Sequence, residues 1–247
     1  MRSYTKPNPE KPLHTPTSVK QREVVETAVI PITEANEHYR KEDGVRMPYA
    51  FLVIVSGGEV RERNYFKIIS NQTKFRQVKI EFVADRNQLN PDGLLQTALY
   101  KQEHYKTSQE DEPDKIFILS DVDHFTNDLL RIKPECEKLD IGLIISNSCF
   151  EVWLYYSKFS VCPTDFKTPQ NPLKISQSFK TYLDKKVKGG VNPTKAIFDI
   201  IETIKNAKSN YAELPNGIPA LFSTNMFILA EQLLPLIGDQ LKKMRTE

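Results

Sequence analysis

No apolar run in this 247-residue chain approaches the roughly 20 residues that a helix needs to cross a bilayer. Its longest apolar stretches have the length of buried strands, so a soluble protein without a membrane partner is expected. Cysteine is scarce as well. Cys136, Cys149 and Cys162 are odd in number and lack CxxC spacing, which argues against a disulfide framework and for a reducing cytoplasm. The N-terminus shows no basic-then-apolar leader layout. Neither GxxxxGK[ST] nor GxGxxG occurs, which argues against a nucleotide-cradling loop. His14, His38, His104 and His124 show no zinc-ligand spacing. A charge excess is also missing: 34 Lys and Arg face 32 Asp and Glu, so any nucleic-acid surface must come from local clustering.

The 39% hydrophobic content suffices for a sizeable core without staples. Residues 1–20 are dense in Pro, Thr and Lys, and within residues 21–47 VVETAVIPIT reads as an extended edge segment and ITEANEHYRKEDG as a short helix stopped by Gly44. Residues 1–47 are therefore expected to form a flexible or partly ordered arm. From Pro48 the pattern is regular. YAFLVIVS (49–56), VKIEFVAD (78–85), DKIFILS (114–120) and IGLIISN (141–147) read as strands, separated by helical patterns. Asn90-Pro91-Asp92 is a helix-start signal, and Pro134 is expected to interrupt the helical connection before the fourth strand. Such alternation predicts an α/β core over 48–162 with a mostly parallel sheet flanked by helices. Residues 163–247 read as helical, forming either a second lobe or a flank on the same sheet.

In a parallel sheet, polar residues at the strands' C-terminal ends are the candidates for chemistry. Asp121 and Asp123 follow the third strand, and alternate residues of an extended chain point the same way, so both can converge on Mg²⁺ or Mn²⁺; a strand-end turn is the plain alternative. His124, directly after, can reach a phosphate or a metal-held water. The fourth strand ends at Ser146 and Asn147, and Glu151 is either a further acid or a helix-start carboxylate. Gly57 and Gly58 allow a tight turn after the first strand, with Glu59 and Glu62 beyond it. Cys149 reads as a packing residue rather than a nucleophile. Arg61, Arg63 and Lys67, with Lys174, Lys180, Lys185, Lys186 and Lys188, could guide a phosphate backbone, although lysine runs are commonly a solvated helix face.

Three separated blocks, GGEVRERNYF, DVDHF and SNSCFEVWLYYSKF, resemble the RloB-like family, and NPTKAIFDIIETI extends the likeness over most of residues 49–235. The resemblance implies a Toprim-like core with metal-dependent nuclease activity, a role in abortive infection and prokaryotic antiviral defence, and an ATPase partner. Asp121 and Asp123 match the family's DxD, Glu59, Glu62, Asn64, Tyr65 and Phe66 its first block, and Ser146, Asn147, Cys149, Phe150, Glu151 and Trp153 its SNxCFExW block. The implied catalytic set is Glu59, Glu62, Asp121, Asp123 and Glu151, with metal on Asp121 and Asp123. Nucleic acid, RNA more than DNA, would be met by Arg61, Arg63, Lys67, His124 and Asn147. One departure stands out: Gly57 replaces an acidic residue that the family typically carries there, and Arg61 and Arg63 replace a small residue and a proline. A catalytically silent regulatory or nucleic-acid-binding subunit is the competing reading. A primase or topoisomerase-like catalyst would generally need further domains.

Overall fold

In the computed structural model, residues 50–84, 90–108 and 111–246 are described. The expected arm, 1–47, and Asp85 at the end of the second expected strand lie outside them.

The four apolar runs form β1 (Ala50–Ser56), β2 (Val78–Val83), β3 (Lys115–Asp121) and β4 (Gly142–Ser146). All pair in parallel in the order β2-β1-β3-β4. The chain leaves β1 toward one side and returns across it to reach β3, so the switch point where open α/β sheets bind ligands falls between β1 and β3. Both faces of the sheet are covered, which is why its strands read as continuous apolar runs. Alternation still decides which face each residue serves. Leu52, Ile54, Phe117 and Leu119 enter one core, whereas Phe51, Val53, Val55, Ile116 and Ile118 enter the other.

The second core is closed by α2 (Pro91–Thr107) and α3 (Thr126–Lys138), through Leu94, Leu95, Ala98, Leu129 and Ile132. Asn90 starts α2 as expected: its side-chain oxygen accepts from the Gly93 amide at 2.8 Å, and Pro91 occupies the first turn, where no amide donor is needed. Pro134 does not interrupt α3, which runs through it for all of its 13 residues. Leu129, Ile132 and Cys136, on the stripe that holds the helix to the sheet, are buried before and after the proline, so packing outweighs the lost hydrogen bond.

The first core is closed by α1 (Arg61–Asn71), α4 (Glu151–Tyr156) and the helices after residue 163: α5 (Ile175–Lys186), α6 (Pro193–Ala196), α7 (Ile200–Ser209) and α8 (Phe227–Thr246). One continuous hydrophobic cluster runs from β1 and α1 to Phe179, Leu183, Ile200 and Leu233. Of the two arrangements left open by the sequence, the C-terminal helices form the flank on the same sheet. The segment before α8 also seals the open side of β4: Asn225 accepts from the Ile145 amide at 2.6 Å and donates to the Leu143 carbonyl at 3.1 Å.

Phe179 joins α5 to this core. It is fully buried, and its ring lies 5.9 Å from that of Tyr155, 5.6 Å from Phe166 and 5.1 Å from Phe222. Phe179→Ala is expected to cost about 3–5 kcal/mol. Urea unfolding followed by emission of Trp153, the single, fully buried tryptophan, measures it; an unchanged midpoint would show that α5 is not anchored there.

Candidate functional site

A cavity of about 470 Å³ opens at the C-terminal ends of β1 and β3, where the switch point lies. Glu59, Glu62, Asp121, Asp123 and Glu151 all line it, as do Arg61 and His124. These residues come from three separate stretches of chain, and the parallel sheet brings them to one edge.

β1 ends at Ser56, whose hydroxyl accepts from the Gly58 amide at 3.1 Å, while the Gly57 amide donates to the Leu119 carbonyl of β3 at 3.3 Å. The turn is thus stitched to both strands of the switch point. Neither glycine is among the residues with positive φ. Gly58 answers instead to space: a Cβ there would sit 2.0 Å from the carboxylate atoms of Glu62. Glu62, in the first turn of α1, folds back over the turn, and its side chain is buried with Tyr65, Phe66 and Ile69 on the inner helix face. Gly58→Ala is expected to push this carboxylate out of place and to disable any activity that depends on it; activity equal to the parent would show that Glu62 is not held there.

Asp121 is the last residue of β3. Asp123 does not reach the cavity by strand alternation, because the chain has left the strand and Asp123 adopts a left-handed φ of 33°. It stands on the rim, 3.6 Å from His124 Nδ1, and accepts from the Ser176 hydroxyl at 3.3 Å. Glu151, in the first turn of α4, is almost wholly buried, and its two oxygens meet Arg61 at 3.8 Å and Lys180 at 3.7 Å. Arg61 is further held by the Val191 carbonyl at 3.2 Å and by Asp184 at 3.9 Å.

Burial raises the Asp121 carboxyl well above its usual range, and the like charges of Glu62, Glu151 and Asp123 add to the rise against the pull of Lys180. Glu62 is raised for the same reasons, burial first and then Glu151, with its backbone hydrogen bond, Lys180 and Arg61 opposing. Burial alone would lower the Lys180 ammonium, but Glu151, Asp121 and Glu62 outweigh it and hold it raised. Cys149 is buried and its thiol is raised well above normal, so it stays protonated and serves as packing.

Not every expected residue faces the cavity. Arg63 is exposed and its guanidinium sits 5.2 Å from the Phe82 ring; Lys67, one turn on, shares that outer face of α1. Asn147 is committed to structure: its side chain donates to the Pro219 carbonyl at 2.8 Å and its amide to the Ser223 carbonyl at 2.9 Å, so it does not cap α4. Conversely, Lys180 and Ser176 belong to the site. The signal for both was their place on α5: Ser176 lies on the buried stripe with Phe179 and Leu183, and half-buried Lys180 stands one turn after Ser176, while Lys185 and Lys186 are exposed.

Among the described residues, no three His, Cys, Asp or Glu side chains stand close enough to hold a metal ion by themselves. Mg²⁺ does not require that, since it keeps several waters and binds through one or two carboxylates together with substrate phosphate. The donors here are hard oxygens, and the burial and neighbouring negative charge that raise Asp121 and Glu62 are offset by a divalent cation. The residues therefore fit the group.

A carboxyl raised in the folded chain favours its protonated form there. Its contribution to stability is full below the unfolded carboxylate range and is lost as pH rises through the folded value. Asp121→Asn is accordingly expected to stabilise the metal-free protein by about 1 kcal/mol, or about 2–4 °C in Tm, at pH 8, with the gain shrinking toward acid. Equal melting temperatures at pH 8 would contradict the buried charge.

The comparison with protein families matches the model described as RloB-like protein to residues 52–233, which contain β2 to β4, β1 from Leu52 onward and every cavity residue named above. No curated protein and no solved structure matches the chain. With the match spanning most of its length and nearly all of its sheet, the chain belongs to the RloB-like family.

Proposed function

We propose that the cavity is the centre of a metal-dependent nuclease that hydrolyses phosphodiester bonds, RNA in preference to DNA. The observation that carries this reading is the gathering of Glu62, Asp121, Asp123 and Glu151 with Arg61 and Lys180 at the switch point of a parallel sheet. Asp121 and Asp123, with Glu62 beside them, would hold Mg²⁺ or Mn²⁺. That ion supplies an activated water and a counter-charge for the phosphate.

The chain's own residues divide the remaining work. Arg61 and Lys180 stand on the wall as cations that attract the phosphate into an otherwise acidic cavity. Glu62, on the lining beside Asp121 and with its carboxyl raised by burial and by Glu151, would take a proton from water. Glu151 faces both cations, one oxygen 3.8 Å from Arg61 and the other 3.7 Å from Lys180, and balances their charge. His124 and Glu59, on the lining, reach the flanking phosphate or water.

The family supports a role in abortive infection against phage, with an ATPase encoded nearby as partner. A catalytically silent nucleic-acid-binding subunit is the second reading. It is favoured by Gly57, which leaves the end of β1 without a side chain to contribute.

The test is cleavage of an RNA and DNA panel by the purified full chain with Mn²⁺, alone and with the neighbouring ATPase. RNA cleavage is expected, reduced at least about 100-fold by Asp121→Ala and by Glu62→Gln. Cleavage that survives both Asp121→Ala and Asp123→Ala would overturn the assignment. Nucleic-acid binding without cleavage in every condition would establish the silent subunit instead.

A further inference from the structure

The acidic cavity already contains a cation of its own. Lys180 enters from α5 and lines the same cavity as Glu62, Asp121 and Glu151, and these three carboxylates attract its ammonium. The ion pair with Glu151 measures 3.7 Å, longer than a hydrogen bond, and the lysine side chain is 38% exposed against 6% for the glutamate. The charge is thus held by field more than by a fixed bond, on a flexible four-carbon stem. Arg61, by contrast, is tied to a backbone carbonyl as well as to two carboxylates.

We propose that Lys180 is the resident counter-cation of the carboxylate set and competes with the divalent ion for it. Metal entry then displaces the ammonium from the carboxylates, leaving it free to pair with the substrate phosphate. The site is stabilised by one positive group when empty of metal and needs another to act, so Lys180 sets how much metal the protein requires. This rests on the metal reading above.

The experiment is calorimetric titration of Mn²⁺ alone into the full-length protein, its Lys180→Met and Lys180→Arg variants, and Asp121→Ala. Lys180→Met is expected to bind about tenfold tighter than the parent, with the gap narrowing in high salt, and Lys180→Arg to stay close to the parent. Lys180→Gln replaces Lys180→Met if the latter melts below the parent. An affinity unchanged or weakened by loss of the charge would overturn the role of Lys180 while leaving the metal site standing. Mn²⁺ binding that survives Asp121→Ala, or no binding by any of the proteins, would contradict the metal reading itself.

Discussion

Like charges held together at the edge of a parallel sheet are the constraint on which the site depends. Glu62, Asp121 and Glu151 meet at the ends of α1, β3 and α4, where burial together with the charge of Glu151 raises the cost of ionising Glu62 and Asp121. Such an arrangement persists only because the surrounding structure fixes it. Gly58 makes room for Glu62, Arg61 and Lys180 balance Glu151, and the aromatic packing of Phe179 carries α5, and Lys180 with it, to the cavity. The helices after residue 163 are therefore part of the site's electrostatics as well as of the core.

The turn after β1 shows how a departure can be local. With glycine at 57, the end of β1 presents no carboxylate, yet Glu62 lies back over the neighbouring Gly58 and places its acid at the same turn. The negative charge has entered from the helix rather than from the strand end. That geometry accounts for Gly58 without appeal to backbone angle.

Much of this was legible in the sequence. The four strands, their parallel order and the placement of acids at their C-terminal ends follow from continuous apolar runs separated by helical spacing, because both faces of the sheet are buried. Pro134 misled, since core packing on α3 overrode its cost. Residue spacing also placed Asp123 beside Asp121 for the wrong reason: both line the cavity, but through a turn with left-handed φ rather than an extended strand. Arg63 and Lys67 drew attention as neighbours of the acidic turn, although helical rotation carries them to another face. Lys180 was hidden among similar lysines, and only the tertiary placement of α5 separates it from them. Asn147 was a motif residue whose work is to hold the loop before α8.

The central claim is that this cavity binds a divalent cation through Asp121 and its neighbouring acids. Anomalous diffraction from crystals soaked in Mn²⁺ tests it most directly. The account predicts a Mn²⁺ peak within the cavity, bounded by Asp121 and Glu62 and adjoining Asp123, with Lys180 turned away from the carboxylates. A fully ordered cavity without a peak, its ammonium still among the acids at saturating Mn²⁺, would contradict it.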